Sequence, residues 1–171
     1  WLAMADPATA AAALQSGEID FLEQPTPDVI PVLERNRNIR TMALNPVGVM
    51  VWLRPNSQQP PFNSPQVRQA LLHLINQQEV LQAIGVRPSE QVPYCPAFFF
   101  CGSPLETAAG ARGLRERDIE RARALLREGG YTNQRIVFLD ATDNPTNHAA
   151  TLTIGAAMQR AGMNVDMPAM D

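Results

Sequence analysis

The sequence predicts an α/β (α+β) domain, a mixed β-sheet flanked by helices. Three observations lead there. Residues 64–75, SPQVRQALLHLI, carry the pattern of a capped amphipathic helix. Residues 48–54, GVMVWLR, alternate as a strand does. Residues 116–171 read as helix, strand, helix, strand. Helical and extended periods that interleave along one chain are the pattern of helices laid on a sheet.

Along the chain, Ala8 to Ser16 reads as a helix that Gly17 stops. IDFLEQ, residues 19–24, reads as a short strand. Thr26 is placed to cap a second helix with Pro27 at its first position, running to about Arg37 across Pro31. IRTMALNP and VGVMVWLRP read as two strands. In the second, Val49, Val51 and Leu53 share one face, and Met50, Trp52 and Arg54 share the other. Ser64 is a favourable N-cap and Pro65 fits the first helical position, where its missing N–H costs nothing. Val67, Ala70, Leu71, Leu74 and Ile75 then follow the i, i+3, i+4, i+7, i+8 rule. Asn76 breaks that helix, and Val80, Leu81 and Ile84 continue a second short one to Gly85.

Residues 86–115 are irregular and long for a connection inside a compact domain, which marks a packed or functional loop. Ile119, Ala122, Leu125 and Leu126 form the next helical stripe, ended by Gly129 and Gly130. QRIVFLDA is a strand. Asn144-Pro145 opens a long helix to about Ala161, stopped by Gly162, and NVDMPAM closes as a strand. The domain organisation is therefore a single unit, 1–171. Residues 1–47 hold the start of the sheet, 48–85 a strand and helix pair, 86–115 a long loop, and 116–171 the final helix–strand–helix–strand run.

The totals narrow the function. The chain has 171 residues, enough for one core, with 45% hydrophobic and 18% charged residues and a net charge of −3. That balance gives no basic stripe for nucleic acid and no polybasic membrane patch. All fourteen basic residues are Arg, which reads as composition bias. No apolar run approaches the roughly 20 residues of a membrane-spanning helix. The opening WLAMADPATAAAALQSGEIDF already lies inside an amphipathic element, so the chain reads as a piece of a longer one.

The motifs of hydrolases, nucleotide binders and zinc peptidases do not occur. His73 lies off its helix stripe and reads as a solvated surface residue. Asp140 and Asp143 lack the Glu of a calcium loop and read as helix-capping residues. The expectation is no catalytic residues, no metal and no cofactor. Cys95 and Cys101 are the only thiols and sit in one loop. They are either a short-loop disulfide or two free packed thiols, since spacing does not set Cα geometry.

Three stretches resemble a known family. AAALQSGEIDFLEQPTPDVIPVLERN is similar to the A-L-x-S-G-E-I-D segment of the family 5 extracellular solute-binding proteins, the peptide, dipeptide and nickel-type receptors of bacterial ABC importers. NSQQPPFNSPQVRQALLHLINQQEVLQAIG resembles that family's Pro-Pro-Phe turn followed by Val-Arg-Gln-Ala-Leu and a second short helix. ERARALLREGGY is similar to its later L-L-x-E-A-G-Y element. The resemblance implies part of the second lobe of a two-lobed periplasmic binding protein. Residues 1–47 would then be the crossing into that lobe.

The resemblance also points to site residues. In peptide-binding members the strand before the Pro-Pro-Phe turn sends aromatic side chains into the cleft. The matching residue is Trp52, with Met50 and Arg54 on the same face. Trp52 suits either the cleft or the core beneath the Phe-rich loop, being a large aromatic with one polar edge. Some dipeptide-binding members place an Arg near the start of the helix after the strand 134–140. DNPTNHAAT offers His148 near that position, with Asn144, Thr146 and Asn147 around it. Helix N-termini suit carboxylates, though imidazole lacks the bidentate fork of Arg. A surface His on a capped helix is the alternative. Tyr94 to Phe100 reads as a cleft wall, a pinned surface loop or a contact with the other lobe.

The resemblance thus implies a non-enzymatic, periplasmic substrate-binding component of an importer. It would take a small solute, peptide by default, and deliver it to the permease subunits. Self-association of the piece is expected from its apolar 94–100 stretch. The alternatives are an α/β hydrolase or transferase domain, for which Glu18, Asp20, Asp140 and His148 are the loosely suitable groups, and a structural fragment without binding of its own.

Overall fold

The computed structural model describes residues 2–45, 48, 50–91, 93–111 and 117–170. Six helices and four two-residue strands are seen among them: α1 Pro7–Ser16, α2 Ile30–Glu34, α3 Pro65–Leu74, α4 Gln77–Ala83, α5 Ile119–Glu128, β1 Ile136–Val137, β2 Asp140–Ala141, α6 Pro145–Arg160, β3 Val165–Asp166 and β4 Ala169–Met170. None of these helices is long and apolar enough to cross a membrane.

The strongest sequence pattern builds the core. Val67, Ala70, Leu71 and Leu74 on α3 face Ala122, Leu125 and Leu126 on α5, all buried. Ile154 and Met158 of α6 and Ile136 of β1 close the same cluster, with Ile75 partly buried against it. Pro65 stands in the first turn of α3 as expected. Ser64 has the extended backbone of a cap but makes no capping bond. Its hydroxyl lies 3.2 Å from Gln66 Oε1 instead. Asn76, which reads as a break, is the cap of α4 and accepts from Glu79 N–H at 3.1 Å. Asp118 caps α5, accepting from Arg121 N–H at 2.8 Å.

Among the described residues the sheet is smaller than the sequence predicts, and both of its strand pairs are parallel. β1 pairs with β3, Ile136 against Val165, and β2 pairs with β4, Asp140 against Ala169. With α6 as the crossover this is a βαβ unit. QRIVFLDA and NVDMPAM were expected as single strands, and each is split. The cause is Pro168. Phe138 N–H donates to Asp166 O at 2.8 Å and Asp140 N–H to Pro168 O at 3.2 Å, but Pro168 has no N–H to return to the Phe138 carbonyl. Tyr131 pins the entrance. Its hydroxyl donates to Gln134 O at 2.9 Å and accepts Asn164 N–H at 2.7 Å. Gly130 precedes it at φ 75°, a left-handed turn that suits glycine.

The first third differs most from expectation. α1 forms as predicted, capped by Asp6, which accepts from Thr9 N–H at 2.7 Å, and it stops at left-handed Gly17. IDFLEQ is not a strand. Glu18 and Ile19 N–H groups both turn back to Ala13 O, and Gln24 has φ 53°. The helix expected from Thr26 to Arg37 shrinks to Ile30–Glu34, because Pro31 is tolerated in a first turn and not in a helix interior. The Thr26 hydroxyl is buried without a hydrogen-bond partner and caps nothing. The strands expected at 39–46 and 48–54, the start of the sheet and the strand of the strand–helix unit, are not formed by the described residues. Those residues are extended or irregular and meet no partner strand, and a strand without a ladder is only extended chain. Val49, on one predicted face, lies outside the described residues. Residues 51–54 still alternate: Leu53 packs on the core cluster while Trp52 and Arg54 are exposed.

Ion pairs tie the periphery. Arg117 pairs with Glu79 and donates from Nε to Leu74 O at 3.1 Å, so one side chain fastens the entrance of α5 to the ends of α3 and α4. The Arg117 guanidinium holds the Glu79 carboxyl below its ordinary range. Arg87 joins Glu34 at 2.9 Å and also Glu90, linking α2 to the segment after α4. His73 corrects its sequence reading: it is half-buried, and its Nδ1 is enclosed without a partner. Its carbonyl accepts Asp118 N–H at 3.0 Å, which draws α5 over that face of α3.

Candidate functional site

Two groups of side chains stand out, and each lies where elements end. The first is at the start of α6. Asn144 caps the helix, accepting Asn147 N–H at 3.0 Å, with Pro145 in the first turn. Thr146 is half-buried and Asn147 exposed. His148 is one turn in. Its Nδ1 lies 2.9 Å from both Oδ1 and Oδ2 of Asp140. Asp140 is only 4% exposed. Facing a buried carboxylate, Nδ1 is the protonated ring nitrogen and donates to Asp140, which leaves Nε2 as the acceptor nitrogen of the ring.

This corrects the reading of Asp140 as a capping residue. Asn144 caps, and Asp140 holds the imidazole. The signal for it was in the strand alternation. Ile136, Phe138 and Asp140 share the inward face, so a carboxylate there had to find a buried donor. Sequence spacing named no donor, because eight residues across a turn carry no periodic rule.

The second group surrounds Trp52. Its ring meets Phe98 edge-on, centroids 4.4 Å apart at 79°. Phe98 meets Phe99 at 5.2 Å in the same manner. The Arg54 guanidinium lies 5.5 Å from the Trp52 ring centre. Trp52, Phe98 and Phe99 are 41%, 64% and 42% exposed, so this is a surface platform and not core. Edge-on aromatic pairs contribute about 0.5–1.5 kcal/mol each, enough to set ring orientation on a surface. Met50 is half-buried and has no place in these ring contacts.

The loop that carries the two Phe residues is tied down. Cys95 and Cys101 are joined, with Cα atoms 5.8 Å apart. The Gln77 amide faces the Cys95 backbone from α4, donating to Cys95 O at 2.7 Å and accepting Cys95 N–H at 3.0 Å. Phe98 and Phe99 lie in the Tyr94–Phe100 stretch that the sequence already marks, and Gln77 is the addition that sequence reasoning did not reach.

The structure brings Trp52 and Arg54 together, and separately gathers Asn144, Asn147 and His148 on one helix start. Among the described residues no group of three or more His, Cys, Asp or Glu is arranged to hold a metal ion.

The fold matches about a third of the length of solved substrate-binding proteins of ABC transporters. It matches the ABC transporter substrate-binding protein CtaP from Listeria monocytogenes with TM-score 0.72 at 21% identity, covering 97% of this chain and 33% of that one. It matches the ABC transporter-associated periplasmic binding protein DppA from Helicobacter pylori, in complex with the peptide STSA, with TM-score 0.67 at 25% identity, covering 97% and 31%. The chain belongs to the bacterial extracellular solute-binding proteins, family 5, whose middle section matches residues 1–171. It is 38% identical over 168 residues to the probable peptide ABC transporter periplasmic-binding protein y4tO of Sinorhizobium fredii, covering 98% of this chain and 32% of that protein. It is 29% identical over 181 residues to the glutathione-binding protein GsiB of Escherichia coli K12, covering 100% and 32%. The chain therefore spans about a third of the length of the relatives it matches.

Proposed function

We propose that the chain is part of the second lobe of the substrate-binding component of a bacterial ABC importer. Acting in the periplasm, the parent protein captures a small solute between two lobes, closes on it and hands it to the permease subunits. It makes and breaks no bond, and it is not an enzyme. The observation that carries this reading is the match of all 171 residues to the family. Peptide is the solute class it favours, because one relative is described as a probable peptide ABC transporter periplasmic-binding protein and another as a glutathione-binding protein.

The site geometry supports the following roles. Asn144, Thr146 and Asn147 at the start of α6 suit an anionic end of the solute, and His148, oriented by Asp140, offers Nε2 as an acceptor to a donor group beside it. Trp52 and Arg54, with Met50 on the same strand face in the sequence pattern, take an apolar side chain and a second polar group. Phe98 and Phe99 lie beside them and face the other lobe in the whole protein. In the isolated 171-residue piece that surface is uncovered and drives self-association. A clean monomer in sedimentation at high concentration counts against that last point.

Thermal shift on the full-length parent tests the proposal, with a panel of di- and oligopeptides, nickel chelates, opines and sugars. A ligand that binds only the folded state raises the melting temperature. Peptides are expected to raise it, and Trp52→Ala and His148→Ala to weaken the shift. A panel in which only non-peptides act removes peptide as the ligand class. Chemical conversion of a bound solute, followed by mass spectrometry, would overturn the binding-only reading.

A further inference from the structure

The Trp52 platform is braced by a residue outside it. The Gln77 side chain pairs its amide with both backbone polar groups of Cys95, at 2.7 and 3.0 Å, as a neighbouring strand would. Gln77 opens α4, whose start is fixed by the Asn76 cap and by the Glu79–Arg117 pair. One end of the loop 95–101 is thus fastened to a helix. The disulfide fastens the other end, Cys101, to the first. Between them Phe98 sets its ring against Trp52, although 64% of Phe98 is exposed. A side chain so exposed gains little from burial and would sample many rotamers if its backbone were free. The ring contact can orient the platform only while the loop's ends hold the Phe98 backbone beside Trp52.

We infer that Gln77 is a positioning residue for the ligand-binding face, holding the Cys95–Cys101 loop so that Phe98 orients Trp52. It acts through the backbone of Cys95 and touches no solute. The platform is preorganised by this contact, so less ordering remains when solute binds. The effect on affinity rests on the reading that Trp52 meets solute; the effect on Trp52 itself does not.

The test uses the full-length parent labelled with 5-fluorotryptophan, the Trp52 signal being assigned by its loss in Trp52→Phe. Gln77→Ala keeps a good helix former at the start of α4 and removes both bonds to Cys95. Gln77→Glu keeps the acceptor for Cys95 N–H and loses the donor to Cys95 O. The Trp52 fluorine resonance is expected to move and broaden in Gln77→Ala and to change less in Gln77→Glu. Circular dichroism should show both variants folded. For a peptide that stabilises the wild type, Kd is expected to rise about tenfold in Gln77→Ala, or about 1.4 kcal/mol. A Trp52 resonance in Gln77→Ala identical to wild type overturns the inference. A resonance that moves while Kd stays constant upholds the positioning role and instead sinks the placement of Trp52 against solute.

Discussion

His148 and Asp140 come from opposite ends of one connection and meet with Nδ1 2.9 Å from each carboxylate oxygen. Asp140 opens β2 and is buried. His148 stands on the first turns of the following helix with 40% of its side chain exposed. The sheet supplies the fixed member and the helix the presented one.

This asymmetry gives unequal mutational costs. His148→Ala leaves the buried Asp140 carboxylate without its donor and is expected to destabilise by about 1–3 kcal/mol. Adding Asp140→Ala should recover part of that loss, because no orphaned charge then remains. Denaturant unfolding of the full-length protein, of His148→Ala and Asp140→Ala singly, and of the double variant reads the cycle. A double variant as unstable as the sum of the singles would show that the pair is not coupled.

Glu79 gives a pH dependence of known sign. Its hydrogen bond from Arg117 lowers the carboxyl in the folded state relative to the unfolded chain. The stabilisation is therefore complete above the ordinary glutamate value of 4.5 and is lost as pH falls through the lowered one. Glu90, lowered by Arg87, and Asp6, lowered by Thr9, add to the same acid limb. Glu79→Gln should lower the melting temperature at neutral pH and flatten its decline below pH 4.5. An acid limb of the melting curve unchanged in the variant assigns it to other groups.

Gly129 is where α5 ends against the start of α3. A Cβ there would stand 2.8 Å from both Ser64 Oγ and Val67 Cγ2. Val67 is fully buried, and the backbone φ of Gly129 is −81°, so the cost is steric and not conformational. Gly129→Ala is expected to destabilise by about 1–3 kcal/mol. Val67→Ala on the same background should return part of it, and thermal melts of the three proteins decide.

Leu74 closes the α3 stripe with no exposed surface. Leu74→Ala should cost about 2–5 kcal/mol through lost burial and an unfilled cavity. The neighbouring Leu72 is 50% exposed, and Leu72→Ala should stay within about 0.5 kcal/mol of wild type. Similar losses at the two positions would mean that the stripe is misassigned.

What the sequence by itself determined is the helical half of this protein. Asp6, Asn76, Asp118 and Asn144 cap helices by accepting from backbone N–H groups three residues on, and Gly17 and Gly130 turn the chain with left-handed backbone. The α3 and α5 stripes follow a 3.6-residue period that one helix completes alone. These are local forces, so residues close in sequence state them fully. The extended segments needed more. Residues 48–54 show a strand's alternation, and their described members meet no partner strand. Residues 134–141 found one thirty residues on, broken only where Pro168 lacks an N–H. The candidate site was legible as residue types, an aromatic at 52 and an imidazole at 148. Tertiary structure decided what they touch. Asp140 reaches His148 across a turn, Phe98 reaches Trp52 from a distant loop, and Gln77 reaches Cys95 from a helix. Each is a pairing between side chains or backbones that no period relates. Only the packing of the whole chain brings such partners within hydrogen-bond or ring-contact distance.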